Sequence, residues 1–570
     1  MKFHFKCRTP CLIPRNTLLL GGILVLAAVL RFNNITQPFV DGFDWRQVST
    51  AMMASNFCHR NWNILYPEVS WTNPTEPGYQ GREFQTVSYI AALLYVLVGE
   101  HDWVGRSVAA SFGLWGVFAL YQLVRRVWDE EHALLSAAVM ALLPLSIFID
   151  RSFLPDPAMV ALMTTSVWML IAYLQTDGLR FLLLAGIIGA WGLLTKLPGL
   201  IVGFAMVYAT LTILRFRHRL NRKKLAVISI VAVLALLPVV AYYLWALHLA
   251  HSYPPYHLSG QGNWVWSKGK GLKQWLDRNY YLPLLSRKLM LGAPQPVMVL
   301  VPLGIIFSFV GFDRDGRNQN SPFRLAPMSN SAKAPWLFHY WLLGLLPYYL
   351  IGAKELAVNQ WNLHIADPAV AALSSCAIIT ISSFVAKLAR PSGRFVVKVA
   401  IITASLITIT VLGAMQLRLM YTPYHEPGYD LGLALRKISQ PRDLVVTMAT
   451  VLGDPIVLYY SQRRGWIFPP PPPATANVMA LPEDDRESIM AFEKLRAEGA
   501  AWLGIVARQH ALLRQKHPLL LAHFQRVCRL YQRNPKWSIY SILPSAQEIE
   551  DTATPKNSAM TKTCPRSTLR

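Results

Sequence analysis

Apolar stretches long enough to cross a bilayer recur along this chain from Leu18 to about Leu417, and nothing else constrains its fold as strongly. A hydrocarbon core about 30 Å thick needs about 20 apolar residues in a helix. No water satisfies the backbone inside that core, so separate apolar runs must cross it as helices. The expected spans are 16–31, 107–124, 132–150, 156–174, 180–196, 199–214, 225–248, 292–312, 335–352, 367–386 and 396–416. Hydrophobic residues make up 53% of the 570 and charged residues only 15%, which excludes an ordinary soluble chain. The net charge of +24 would suit a nucleic-acid partner. It sits largely in short clusters between the apolar runs, however, which is the membrane pattern, so no nucleic acid is expected.

A twelfth apolar run, Val87 to Val98, decides the orientation. It is too short for a comfortable crossing. If it stays on the outer side, the basic block Arg215, Arg217, Arg219, Arg222, Lys223 and Lys224 falls inside, together with Arg314, Arg317, Arg324, Lys333, Lys387, Arg390 and Arg394. If it crosses, every later loop flips and that block lies outside, against the positive-inside rule. The first reading gives about eleven spans and treats 84–99 as re-entrant or interfacial. Lys2, Lys6, Arg8 and Arg15 precede the first run as in a signal peptide, but no small-residue cleavage site follows, so it reads as a retained span. The expected protein is a polytopic α-helical membrane protein of the plasma (inner) membrane, with a cytoplasmic N-terminus.

The transmembrane part is expected over 1–417, with outer loops 32–106 and 249–291, and a soluble extracytoplasmic α/β domain over 418–544. Leu444–Thr450 and Trp502–Val506 read as strands, Glu483–Glu498 and Ala511–Phe524 as helices, and Phe524–Tyr531 with Trp537–Ile542 as a closing pair of strands. Pro469 to Pro473 form a stiff linker, and the tail 545–570 reads as disordered. The six cysteines are far apart and suggest neither a metal knuckle nor a dense disulfide framework.

The first outer loop opens PFVDGFDWRQ and the second outer turn reads FIDRSFLPDP. Asp156 before Pro157 also has the form of a helix N-cap, and Asp41-Gly42 that of a turn. Two acidic loops on one face at similar depth favour function. This layout resembles the membrane glycosyltransferases that use polyprenyl-phosphate sugars, a group that includes protein O-mannosyltransferases and lipid A aminoarabinose transferases. GREFQTVSYIAALLYVLVG at 81–99 is similar to that family's acidic-basic element and short apolar helix, although Arg82-Glu83-Phe84 stands where the family often has Glu-Lys-Pro. LLTKLPG at 193–199 is similar to its Thr-Lys-Gly turn, and NLHIADPAVAAL at 362–373 to the outer start of a late span. The resemblance covers about 32–375 and implies a GT-C fold, a lipid-linked donor and inversion at the anomeric carbon.

Such a transfer needs a base for the acceptor hydroxyl, for which Asp44 is the first expectation and Asp41 the second, with Asp156 as a supporting acid or acceptor contact. It needs cations for the leaving phosphate, expected from Lys196, Arg82, Arg106 and Lys354. Arg46 and Arg151 would do the same or lock the aspartates. Trp45, Trp62 and Trp71 would orient the acceptor, with Glu83 and His364 nearby. No cofactor is called for with certainty; Glu83, His251 and His257 could hold a divalent metal, since histidine and carboxylate suit zinc, but histidines at a span end around Pro254-Pro255 are more often plain loop residues. The partners are then a polyprenyl-phosphate sugar, the membrane, and an acceptor that is protein, lipid or glycan. The rival readings are a lipid or sugar flippase, which would place charges near the midplane, a non-catalytic assembly or receptor subunit, and an oligosaccharide polymerase or ligase.

Overall fold

The computed structural model describes residues 14–72, 76–254, 275–287, 295–309, 334–470 and 480–543. Its first helices are α1 (Arg15–Phe32), α2 (Asp44–His59), α3 (Thr86–Val98), α4 (Asp102–Val127), α5 (Glu130–Leu142), α6 (Pro144–Arg151) and α7 (Asp156–Thr176). They are followed by α8 (Leu179–Thr195), α9 (Gly203–Phe216), α10 (Arg222–Ser252), α11 (Arg278–Arg287), α12 (Gln295–Phe309), α13 (Leu337–Val358), α14 (Asp367–Leu388) and α15 (Arg394–Met420). Among the described residues, 7 helices are long and apolar enough to cross a membrane, or 8 if α5 and α6 form one broken span. α8, α12 and α13 carry shorter apolar stretches. Among the described residues the apolar segments read from the sequence lie largely on these helices, but the count of eleven crossings rests on the sequence alone.

The segment 132–150, expected as one span, is two helices bent by 66°. Pro144 stands at the start of α6 and brings no N–H to the preceding turn, so the helix stops at Leu142 and restarts. All eight residues of α6 are buried. Gly113 of α4 makes room for them, because a Cβ there would lie 2.4 Å from the Asp150 carboxyl carbon. α7 occupies the centre of the bundle, with almost all of its side chains buried, and packs on α4 and α8.

α3 does not cross. The strand of chain before it donates from Phe84 N to Leu194 O at 2.9 Å. The chain after it pairs Glu100 with His59 at 2.9 Å and places Asp102 against the C-terminal domain. Both ends therefore lie on the face that carries that domain. The opposite face gathers Arg126 with Gln175, Asp177 with Arg219 and Lys224, and Arg217 with the Gln175 carbonyl. The basic block and the acidic loops thus sit on opposite faces of the bundle.

The C-terminal domain continues from α15 through α16 (Glu426–Ile438), β1 (Leu444–Met448), α17 (Ile456–Ser461), β2 (Arg464–Ile467) and α18 (Asp485–Ala497). It closes with β3 (Ala500–Val506), α19 (Ala507–Lys516), α20 (Pro518–Val527), β4 (Cys528–Arg533) and β5 (Trp537–Ile542). The sheet order is β2-β1-β3-β5-β4, with β1 parallel to both β2 and β3, and β5 antiparallel to its neighbours. The helix expected over 511–524 is broken at His517–Pro518, again because proline cannot continue a helix hydrogen-bond ladder. Residues 471–473 of the proline run and the tail from 544 lie outside the described residues.

One face of the sheet is covered by α18 and α20, around Phe492 and Phe524. The other is covered by α16 and α17, whose apolar side chains share a single core with Phe39, Val48, Met52 and Tyr95 of the membrane part. Asp102 fixes this seat: it accepts from Tyr459 at 3.1 Å and from Tyr460 at 2.7 Å, while the Tyr460 oxygen accepts from Phe39 N at 2.7 Å. Asp102→Ala is expected to strand two buried phenols at a cost of about 1–3 kcal/mol each. Thermal unfolding and protease sensitivity of the 421–425 connection would report it, whereas Asp443→Ala should leave the domain seated.

Candidate functional site

Four ionic groups on the C-terminal-domain face involve the residues singled out by the sequence. The deepest is centred on Asp41, which is fully buried. It accepts from Arg151 at 2.7 Å, from Arg106 at 3.2 Å and from Gln47 at 2.9 Å. Arg106 also donates to Pro38 O at 3.1 Å and stacks over Phe39, and Arg151 donates to Asn34 O at 2.8 Å and stacks over Tyr421. Burial alone would raise the Asp41 pKa, but the Arg106 and Arg151 guanidiniums hold it below the usual carboxylate value. Arg106, expected among the phosphate-binding cations, is instead sealed behind Asp41 with no exposed surface.

The second group is equally closed. His364 lies between Asp150 at 2.9 Å and Asp367 at 2.8 Å, and Arg31 meets the other oxygen of Asp150 at 2.8 Å. Both imidazole nitrogens are taken by carboxylates and the ring is buried, so His364, expected near the acceptor, ties α1, α6 and α14 together instead.

The third group borders a small cleft lined by Arg46, Thr50, Arg82, Glu83, Phe84, Gln85, Val87, Ser88 and Pro155. Arg46 is ion-paired with Glu83. Arg82 donates to Gln80 at 2.6 Å and to Ser49 at 3.3 Å and lies over the Trp45 ring, while its buried Nη2 has no hydrogen-bond partner. Next to Pro155, Asp156 accepts from Lys196 at 2.6 Å through Oδ1, and its Oδ2 carries no hydrogen bond. Lys196 also donates to Asn362 at 2.6 Å. The chain at 84–86 lies along the end of α8, through Phe84 N to Leu194 O and a 2.8 Å contact between the hydroxyls of Thr86 and Thr195. Lys196 and Asp156 thus adjoin two of the lining segments, Lys196 through Leu194 against Phe84 and Asp156 through Pro155. Two elements of the site are therefore desolvated carboxylate–cation pairs beside unpartnered polar atoms, the arrangement expected of a surface built for a charged ligand.

The fourth group lies at the junction with the C-terminal domain. Asp44 faces His425 and Asp454, and the indole nitrogen of Trp45 donates to Gly453 O at 2.8 Å. Burial and the neighbouring Asp454 push the Asp44 pKa well above its ordinary value. Burial would lower the His425 pKa, but the two carboxylates push it up to about 10. Of the expected metal set, Glu83 faces Arg46, His251 is exposed at the end of α10, and His257 lies outside the described residues. Lys354 stands near the end of α13, and its side chain also lies outside them.

Residues 85–245 match the family model of dolichyl-phosphate-mannose-protein mannosyltransferases. No curated protein sequence matches significantly. ArnT from Cupriavidus metallidurans, solved bound to undecaprenyl phosphate, is similar in structure, with a TM-score of 0.58 at 14% identity over 92% of this chain and 98% of that one. The archaeal oligosaccharyltransferase AglB from Archaeoglobus fulgidus, solved with an inhibitory peptide and a dolichol-phosphate, gives 0.55 at 12% identity over 91% of this chain and 74% of that one. The fold is that of the GT-C membrane glycosyltransferases. Within this GT-C fold the matched segment contains Asp156 and Lys196 and begins just after Glu83.

Sequence reasoning gave no role to Asn362 or His425 and read Asp454 as an ordinary loop charge. Asn362 opens the NLHIADP segment that had marked an outer span end. Asp454 is followed by proline, as are Asp156 and Asp367, and that shared Asp-Pro form was the available signal. His425 had none, because its role depends on where α15 ends. Asp41→Ala is expected to leave two guanidiniums buried without a counter-charge, at a cost of about 3–5 kcal/mol. Loss of monodisperse protein in size-exclusion chromatography would show this, while Asp156→Asn should remain folded.

Proposed function

We propose that this chain transfers a sugar from a polyprenyl-phosphate-linked donor to an acceptor hydroxyl on the extracytoplasmic face, with inversion. The observation that carries the reading is the charge gathered around the cleft: Arg82 lines it, and so does Pro155, which precedes the Asp156 carboxylate paired with Lys196. α3 turns Leu93, Val96, Leu97 and Val98 outward, an apolar surface suited to a lipid chain that enters with its phosphate toward the cleft.

In the proposed step the acceptor oxygen bonds to the anomeric carbon as the bond from that carbon to the phosphate oxygen breaks. The electron pair leaves with the phosphate, whose charge Lys196 and Arg82 neutralise in a poorly hydrated site. The acceptor proton goes to a carboxylate. We assign this role to Asp156 rather than Asp44: its neighbour Pro155 lines the cleft, and its Oδ2 carries no hydrogen bond. Asp41, with its oxygens held by two arginines, is the poorest proton acceptor of the three. Arg46 and Glu83 shape the cleft wall, and Trp45 supports Arg82.

Asp156→Asn is expected to lower transfer from undecaprenyl-phosphate sugars by about a hundredfold or more while donor binding persists. Lys196→Met should weaken donor binding as well as transfer. If both variants fold, bind donor and transfer as the parent does, the assignment fails; if the parent binds no polyprenyl-phosphate sugar, the class fails. The orientation in an inner membrane is tested separately with engineered cysteines. Lys494→Cys should react with an impermeant maleimide from the outside, and Leu220→Cys only after permeabilisation.

A further inference from the structure

The junction between the first outer helix and the C-terminal domain holds a cluster that the proposed transfer does not use. Asp44 opens α2, His425 lies between α15 and α16, and Asp454 lies between β1 and α17. Nδ1 of His425 is 2.9 Å from Oδ2 of Asp44 and 3.2 Å from Oδ2 of Asp454, and the three atoms all lie within 4.8 Å of one another. Asp44 is 6% exposed and Asp454 2%. None of these three converging atoms makes a hydrogen bond of sound geometry, which is rare for buried polar groups. The other oxygen of Asp454 accepts from Ile456 N at 2.9 Å, which leaves Oδ2 for the cluster.

The one proton on Nδ1 of an imidazolium cannot point at both carboxylates, and two carboxylates this close must either share a proton or meet further positive charge. A dication balances both. Ligand bonds of about 2.0–2.1 Å in a tetrahedron put neighbouring ligand atoms about 3.3 Å apart, close to the separations seen here.

We propose that Asp44, His425 and Asp454 bind one divalent transition-metal ion of the zinc class, with a remaining position open to water. The ion fastens the C-terminal domain to α2, which two residues further on carries Arg46 into the cleft wall. The proposal stands whether or not the cleft transfers sugar, because its readout is metal binding.

Untagged full-length protein in detergent, stripped with EDTA and re-equilibrated with Zn²⁺, is expected to retain about one equivalent by elemental mass spectrometry. Its unfolding midpoint should rise on binding. Asp454→Asn and His425→Ala should each weaken binding by about tenfold or more and abolish that rise. Stripped parent protein that stays folded yet takes up neither Zn²⁺ nor Mn²⁺ overturns the site, as does uptake unchanged in both variants. If the variants do not fold, X-ray absorption of the loaded parent decides. One imidazole among oxygen ligands supports the site, and a sulfur-containing or all-imidazole shell overturns it.

Discussion

A carboxylate enclosed by two guanidiniums is the contact on which the half of this protein beside the C-terminal domain depends. Asp41 leaves the first helix and meets Arg106 from α4 and Arg151 from the end of α6, so one side chain joins three stretches of chain far apart in sequence. Each charge would be prohibitively costly to bury alone. Together they fix where α2 begins, and α2 then presents Asp44, Trp45 and Arg46 in three different directions: to the C-terminal domain, to Arg82 and to the cleft. The neighbouring group of Arg31, Asp150, His364 and Asp367 does the same for α1, α6 and α14. The cleft is thus a small chargeable surface resting on two dry ionic struts.

Much of the architecture was legible in the sequence, because membrane insertion is governed by local quantities. Run length and the position of basic residues set Val87–Val98 apart from the longer runs, and it forms a shorter helix than they do, with its flanking residues bonded to Leu194 and to the C-terminal domain. The break at Leu143–Pro144 was also written locally, but its meaning was not: a proline inside an apolar run is compatible with a kink, and only the packing of Asp150 against Gly113 shows a buried half-helix. In the C-terminal domain the alternation of Leu444–Met448 and Trp537–Ile542 marked strands, whereas α16 and β2 emerge from contacts across the sheet.

The site was legible in a different way. Asp156, Lys196, Arg82 and Glu83 could be gathered because each stands at the end of an apolar run on a shared face, so span boundaries served as coordinates. Partner choice could not be read. Nothing local distinguishes Arg106, sealed behind Asp41, from Arg82, which borders the cleft; the difference lies in which helices pack beside them. Likewise His364 and His425 are both histidines at helix ends, yet one holds three helices together and the other meets a loop of the C-terminal domain.

The core shared by α16, α17 and the helices α2 and α3 has a consequence for how the molecule can change. A domain hung on a linker can be exchanged, lost or replaced without disturbing its host. Here the floor of the sheet domain is also the roof over the first outer helix, so neither half has a complete interior without the other. The two must be made, folded and altered together, and any change in the face of the sheet domain that meets the helices is felt in the position of α2. Modularity has been given up for mechanical continuity between the sheet domain and the cleft beside α3.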